Sequence, residues 1–140
     1  MKKTYVIDTN VLIQAPYAIH CFEDNDLVIP LVVVEELDGL KKAEGEKGGN
    51  ARAAVRLLEG YRTEGDLLAG VTLPGGGTLK IEKNFVDVEL PSDLPEDKAD
   101  NRILKVCLGL AGKRKKEQII LVTKDLVLRI KAQMIGIKAD

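Results

Sequence analysis

The chain has 140 residues, of which 45% are hydrophobic and 31% charged, and its formal net charge is −1. This length and balance favour one soluble globular domain over a disordered chain. The near-neutral charge excludes a polycationic nucleic-acid binder, so any contact with nucleic acid would come from a local basic patch.

The first part of the chain predicts alternating strands and helices. Residues 4–8 form a short β-favouring run, and residues 10–24 favour a helical segment that is broken near Pro16. A second buried strand is predicted at residues 27–29. Pro30 suits the first turn of the next helix, which is predicted over residues 31–42.

The middle of the chain predicts a loop, a helix and a hairpin. Residues 45–49 indicate a charged, glycine-containing loop, and Asn50 is expected to cap a helix that runs to about residue 61. Residues 70–84 predict an inserted β-hairpin around a triglycine, residues 75–77. No helix and no Gly-Lys-Ser/Thr follow the triglycine, so we expect a plain turn and not a phosphate-binding loop.

The last part of the chain completes an α/β pattern. It predicts a helix at 97–111, a buried strand at 119–122, a short helix at 126–132, and an edge strand or a linker at 135–137. This order predicts one α/β domain over residues 1–140, with three layers, α/β/α, around a mainly parallel sheet.

Cysteine usage and hydropathy indicate the compartment. Cys21 and Cys107 lack metal-ligand spacing, so both are expected to be buried free thiols. The chain has a single histidine, so neither a histidine-ligated zinc site nor a Ser-His-Asp triad is expected. No apolar run is long enough for a membrane span, and the first one is too short for a signal peptide, so a cytoplasmic location is expected.

Four acids fall where the predicted elements would bring them together. Asp8 ends the first strand and Asp125 follows the strand at 119–122. The carboxyl ends of parallel strands share one edge of the sheet, where ligands bind. Glu36 and Asp100 share the helical spacing of the apolar residues around them, so both should face inward. Inward acids are rare unless they are paired or bound to a cation.

Each of these acids also has an ordinary structural explanation. Asp8 and Asp125 could cap the helices that follow them. Asp100 could be an early-turn acid favoured by the helix dipole, and Glu36 could be one of a solvated pair with Glu35. The coincidence of all four acids favours a common site.

Four clustered carboxylates would require protonation or divalent cations. Two unit charges about 4 Å apart repel by roughly 4 kcal/mol at an effective dielectric near 20. Carboxylate oxygens without histidine or cysteine suit Mg²⁺ or Mn²⁺. The expected chemistry is in-line hydrolysis of a phosphodiester, with Asn10 and Thr123 as nearby hydrogen-bonding groups.

The four acids lie in stretches that resemble, in order, the acidic motifs of a PIN domain. These stretches are residues 6–10, 30–37, 100–104 and 123–125, and the resemblance spans nearly the whole chain. The glycine-rich segment before Asn50-Ala51-Arg52, the hairpin, and residues 98–104 and 128–132 further resemble the N-terminal PIN domain of PhoH-like ATPases.

This resemblance implies a metal-dependent endoribonuclease. Its metal-binding and catalytic residues would be Asp8, Glu36, Asp100 and Asp125 around Mg²⁺ or Mn²⁺, with Asp97 as an additional acid. RNA would be held at its phosphates by a basic rim. The candidates for that rim, each of which could also be an ordinary solvated charge, are Arg52, Arg56, Arg102, Lys124, Arg129 and Lys131.

The resemblance also implies a partner module and leaves alternatives open. A PhoH-like ATPase module normally follows such a domain, and residues 1–140 contain no G-x-x-x-x-G-K-S/T motif, so no ATPase domain is expected in this chain. The domain could instead be a non-catalytic module that binds RNA or packs against copies of itself. An aspartyl-phosphate enzyme with Asp8 as nucleophile is disfavoured, because the second acid usual two residues later is Asn10.

Overall fold

The computed structural model describes residues 3–85 and 87–140, so residues 1, 2 and 86 of the predicted 1–140 domain lie outside the described residues. The strands are Lys3–Ile7 (β1), Asp26–Pro30 (β2), Val71–Thr72 (β3), Thr78–Glu82 (β4), Gln118–Val122 (β5) and Lys138–Ala139 (β6). The helices are Thr9–Gln14 (α1), Leu31–Leu40 (α2), Gly45–Glu64 (α3), Ala99–Lys113 (α4) and Leu126–Met134 (α5), and a 3₁₀ turn spans Pro16–His20.

The strands form one mixed sheet in the order β3-β4-β2-β1-β5-β6. All neighbouring strands pair in parallel except β3 and β4, which are antiparallel. Helices cover both faces, so β2 is buried along its whole length, as expected of a central parallel strand. The predicted three-layer α/β/α architecture is confirmed.

The predicted hairpin is present, and its second strand also belongs to the main sheet, where β4 pairs in parallel with β2. The triglycine is the turn between its strands. A side chain at Gly77 would place its Cβ 2.0 Å from the carbonyl oxygen of Asn25, and Gly76 has a φ of +98°. The turn therefore needs glycine for close packing and for left-handed backbone geometry.

The prediction of a loop at residues 45–49 and a cap at Asn50 is wrong. Helix α3 begins at Gly45, and Asn50 lies inside it. The side chain of Asn50 donates a 2.7 Å hydrogen bond to the carbonyl oxygen of Ile13 in α1. Gly48 lies so close to the backbone of Ala43 that any side chain there would collide with it. Glycine at this position allows close backbone packing where the chain enters α3, and that local contact outweighs its low helix propensity.

Other boundaries also differ from their predictions. Helix α4 continues through Gly112, a position with no neighbouring atom within 4 Å of an added Cβ, and ends at Lys113. The last strand pairs with β5 at Lys138–Ala139 and not at residues 135–137, because Gly136, with a φ of +75°, turns the chain after α5. Within the described part of the chain, no helix is long and apolar enough to cross a membrane.

The two cysteines have different environments, which corrects one of the two expectations. Cys107 is fully buried on α4, whereas Cys21 is exposed. Burial raises the pKa of the Cys107 thiol to about 12, so almost none of it is thiolate at neutral pH.

We therefore expect a thiol reagent to label Cys21 and leave Cys107 unmodified in the native protein. Mass spectrometry after alkylation should show one adduct natively and two in denaturant, since both cysteines are free thiols. The variant Cys21→Ser should show no native adduct. Native labelling of that variant would contradict the buried position of Cys107.

Candidate active site

The four predicted acids line one pocket of about 410 Å³ at the carboxyl edge of β1 and β5. Asp8 follows β1, Glu36 lies on α2, Asp100 lies in the first turn of α4, and Asp125 precedes α5. The sheet and the two helices thus bring together acids that are far apart in the sequence. Thr9, Asn10 and Lys47 also line this pocket.

Asp8 is the most buried of these acids, with 4% of its surface exposed. It occupies the position before α1, but its side chain makes no capping hydrogen bond there. Its Oδ2 instead accepts a 2.8 Å hydrogen bond from the hydroxyl of Thr123. Capping therefore does not explain why the chain keeps a carboxylate at this position.

The environment of Asp8 raises the pKa of its carboxyl group. Burial is the largest cause, and the negative charges of Glu36 and Asp125 add to it. Hydrogen bonds from Thr123 and from the backbone of Thr9 act in the opposite direction. A carboxylate that is desolvated beside like charges is held in an unfavourable state, which is typical of functional sites.

Two threonine hydroxyls position the acids. Thr123 is completely buried, and its Oγ1 both donates to Asp8 and accepts a 3.1 Å hydrogen bond from the backbone N–H of Asp125. Thr9 donates a 2.6 Å hydrogen bond to Oε1 of Glu36. Sequence reasoning selected Thr123 but treated Thr9 only as a helix-capping residue type, because its partner is on another helix.

Asp125 caps α5, as its ordinary explanation anticipated. Its Oδ1 accepts hydrogen bonds from the backbone N–H groups of Val127, at 2.9 Å, and Leu128, at 3.3 Å. Both capping bonds go to the same oxygen, so the cap does not use Oδ2. A cap and a place in the pocket are therefore compatible roles for this residue.

Asp100 lies at the rim of the pocket and is not on a fully buried face. Its side chain is 33% exposed, and its Oδ2 accepts a 3.1 Å hydrogen bond from Nζ of Lys131. The same ammonium donates a 3.0 Å hydrogen bond to Oδ1 of Asn101. Lys131 was a candidate for the basic rim, and the structure places it against an acid of the pocket.

The donor set suits a hard divalent cation in its chemistry. All four acids offer oxygen, and no histidine or cysteine lines the pocket. In the described residues, 3–85 and 87–140, no three side chains of aspartate, glutamate, histidine or cysteine lie close enough together to hold a metal ion. Thr123, Thr9 and Lys131 each occupy one carboxylate oxygen. Each of these three contacts leaves the second oxygen of its carboxylate outside the bond.

The other candidates divide between the pocket and the surface. Asn10 lines the pocket, but Asp97 lines a different one together with Glu96 and Arg102. The structure therefore does not bring Asp97 to the four acids. Lys47, which sequence reasoning missed, does line the acid pocket. It lies in the segment that was predicted to be a loop.

Most of the arginine candidates hydrogen-bond to the protein main chain. Arg52 donates to the carbonyl oxygens of residues 41 and 43, Arg102 to that of residue 96, and Arg129 to that of residue 123. These contacts give the arginines structural roles. Arg56 and Lys124 are exposed.

Comparison with known proteins shows which family this chain matches. Residues 5–140 match the PIN domain family. Proteins called PhoH2 are 43% identical to this chain in Bacillus subtilis and 40% identical in Mycolicibacterium smegmatis, and the alignments cover 100% and 99% of this chain. A PhoH2 protein from Thermobispora bispora is 37% identical over 99% of the chain.

The matched region is only part of each PhoH2 relative. The chain spans about a third of the length of its PhoH2 relatives, namely 33%, 32% and 31%. A solved domain of a functionally unknown protein from Methanocaldococcus jannaschii superposes with a TM-score of 0.55 at 23% identity, over 99% of this chain and 89% of that one. That likeness supports the fold alone.

Proposed function

This chain belongs to the PIN domain family, and we propose that it is a metal-dependent endoribonuclease domain that hydrolyses RNA phosphodiesters with a metal-activated water. The observation that carries the proposal is the pocket itself, which gathers four carboxylates from four separate elements. The burial of Asp8 beside the negative charges of Glu36 and Asp125 costs folding free energy, and a function of the site would explain why that cost is accepted.

In this proposal Asp8, Glu36, Asp100 and Asp125 hold Mg²⁺ or Mn²⁺. The bound ion supplies a water of lowered pKa and neutralises charge at the attacked phosphorus. Thr123 orients Asp8 through its 2.8 Å hydrogen bond, and its link to the backbone of Asp125 ties two acids to one hydroxyl. Such supporting hydrogen bonds strongly affect metal affinity in metalloenzymes.

RNA would be held mainly through its phosphates. Lys47 lines the pocket, Lys124 directly precedes Asp125, and Arg56 is exposed on α3, so these three residues are the candidate phosphate contacts. Asn10 lines the pocket and could hydrogen-bond to the sugar or the phosphate. Only 4% of the residues are aromatic, so base stacking would contribute little.

The remaining two-thirds of the related proteins would supply the partner module. We propose that the full-length protein carries a C-terminal PhoH-like ATPase module and acts in the cytoplasm. The proposal rests on the PhoH2 relatives, which extend well beyond the region matched by this chain.

The direct test is RNA cleavage by the purified 140-residue chain with Mn²⁺, with Mg²⁺ and with a chelator. We expect cleavage that requires the ion and that falls about a hundredfold or more in Asp100→Asn, because a ligand is lost. Asp93→Asn is the matched control, since Asp93 is exposed and lies outside the pocket.

The alternative function predicts a different result in the same experiment. If the chain retains RNA on a filter without metal-dependent cutting, it is a binding or assembly module for the attached ATPase. Equal cleavage by the wild type and Asp100→Asn would reject the proposed site.

Removing Lys131 should strengthen ion binding. The ammonium lies 3.1 Å from Asp100, so it both repels an incoming cation and occupies one of the carboxylate oxygens. We expect Lys131→Met to raise the affinity for Mn²⁺ roughly two- to fivefold, as for a partly exposed ion pair worth up to about 1 kcal/mol. The rise in Tm with added Mn²⁺ measures this affinity without reference to activity. Lys124→Met is the control, and weaker binding by Lys131→Met would contradict the prediction.

A further inference from the structure

Helix α5 presents an apolar face that nothing in the described chain covers. Four of the seven large apolar side chains that are exposed among the described residues lie on this helix. They are Leu126, Val127, Ile130 and Met134, with exposures of 70%, 56%, 50% and 50%. Their spacing puts all four on one side of the helix, and we call this side the α5 face.

The α5 face is additional to the side that packs on the core. Leu128 and Ala132 anchor the helix, with exposures of 1% and 0%. A helix with one apolar side is fully explained by the core it packs against, but a second apolar side is not. Lys124 precedes the helix, and Arg129 and Lys131 lie on it, so the α5 face has a basic border.

A pocket larger than the acid pocket lies elsewhere, and its lining combines apolar and acidic side chains. It is an open groove of about 960 Å³ between α2, α3 and the segment after α3. Val55, Leu58 and Leu68 contribute to its apolar lining. Four carboxylates and one guanidinium also line it, from Glu35, Asp38, Glu59, Asp66 and Arg62. We call it the acidic groove.

The two surfaces lie toward opposite edges of the sheet. The acidic groove includes Ile81 of β4, which is next to the edge strand β3. Helix α5 packs against β6, the strand at the other edge. One molecule therefore offers an apolar, basic-bordered helix at one end and an apolar, acid-lined groove at the other.

We propose that the α5 face of one copy docks into the acidic groove of a second copy. The apolar side chains of the helix would cover the apolar lining of the groove, as in other helix-in-groove interfaces. Asp38 and Glu59 already pair with Lys41 and Arg62 within the molecule, so Lys124 and Arg129 would meet Glu35 and Asp66. This charge complementarity would fix the orientation. The contact joins two different surfaces, so repetition of it closes a ring or extends a chain.

The test is the association state of the 140-residue chain in analytical ultracentrifugation without RNA or metal. We expect the wild type to self-associate increasingly with concentration. Ile130→Asp alters only the α5 face and Leu68→Asp only the groove, and each variant alone should sediment as a monomer. Both positions are exposed, at 50% and 52%, so both variants should fold, which circular dichroism checks.

Mixing the two variants provides the decisive measurement. A 1:1 mixture retains one intact helix and one intact groove, so it should form a heterodimer that cannot grow further. Tyr17→Asp is the control: Tyr17 is 64% exposed and belongs to neither surface, and this variant should associate like the wild type. A monomeric wild type at all concentrations, or a mixture that stays monomeric, would overturn the proposal, whatever the nuclease assay shows.

Discussion

Replacing Asp8 by asparagine is expected to reduce metal-dependent RNA cleavage by about a hundredfold or more, because it removes a proposed metal ligand. The same change should make the metal-free domain more stable at neutral pH. Asparagine can still accept the hydrogen bond from Thr123, but it carries no charge to be desolvated beside Glu36 and Asp125. Opposite effects on activity and stability would identify a site that is maintained for function.

The pH dependence of this stability difference follows from the raised pKa of Asp8. When the folded pKa lies above the unfolded value, the folded state holds its proton more tightly. Stability is then lost as the pH rises from the usual carboxyl range through the folded pKa. Asp8→Asn should therefore be more stable than the wild type at pH 7, and the difference should vanish at a pH below the usual carboxyl range.

Two measurements on the wild type and on Asp8→Asn separate the effect on activity from the effect on stability. Thermal unfolding with a chelator, at neutral and acidic pH, reports stability, and RNA cleavage with Mn²⁺ reports activity. Asp93→Asn is again the control, because Asp93 is exposed and lies outside the pocket. Retained cleavage by Asp8→Asn would reject the active site, and a lower Tm at neutral pH would show that Asp8 stabilises the fold.

The second large effect is expected at Gly48, where alanine should destabilise the domain by about 3 kcal/mol. An added Cβ would lie 1.7 Å from the carbonyl oxygen of Ala43, which is backbone and cannot rotate away. Helix α3 would have to shift at its first turns. That shift would disturb the hydrogen bond from Asn50 to Ile13 of α1.

Gly60 provides a control within the same helix. An added Cβ there meets no atom within 4 Å, so Gly60→Ala should stabilise the domain by about 0.5–1 kcal/mol through helix propensity. Urea unfolding of both variants measures the two free energies. The same substitution in one helix should thus have opposite signs, and equal effects at Gly48 and Gly60 would contradict the close packing on Ala43.

The order of elements and the location of the acids were predictable from the sequence because both follow from local patterns. Central parallel strands are covered on both faces, so β1, β2 and β5 appear as short apolar runs. Polar residues follow β1 and β5, and Pro30 ends β2. Asp8 and Asp125 follow such runs, and the topology of a parallel sheet places them at one edge. The sequence by itself therefore determined the α/β class and the pocket that the four acids line.

Contacts between distant segments were decided only by the tertiary structure. Asn50 near the start of α3 hydrogen-bonds to the carbonyl oxygen of Ile13 in α1, whereas local propensity alone predicts a loop just before it. The pairing of Asp100 with Lys131 joins residues on different helices, so helical periodicity predicted an inward face for Asp100 but not its partner or its place at the rim. The exposed apolar side of α5 was likewise decided by the tertiary structure. An apolar residue in the sequence predicts burial, and only the packed chain shows which apolar residues stay exposed.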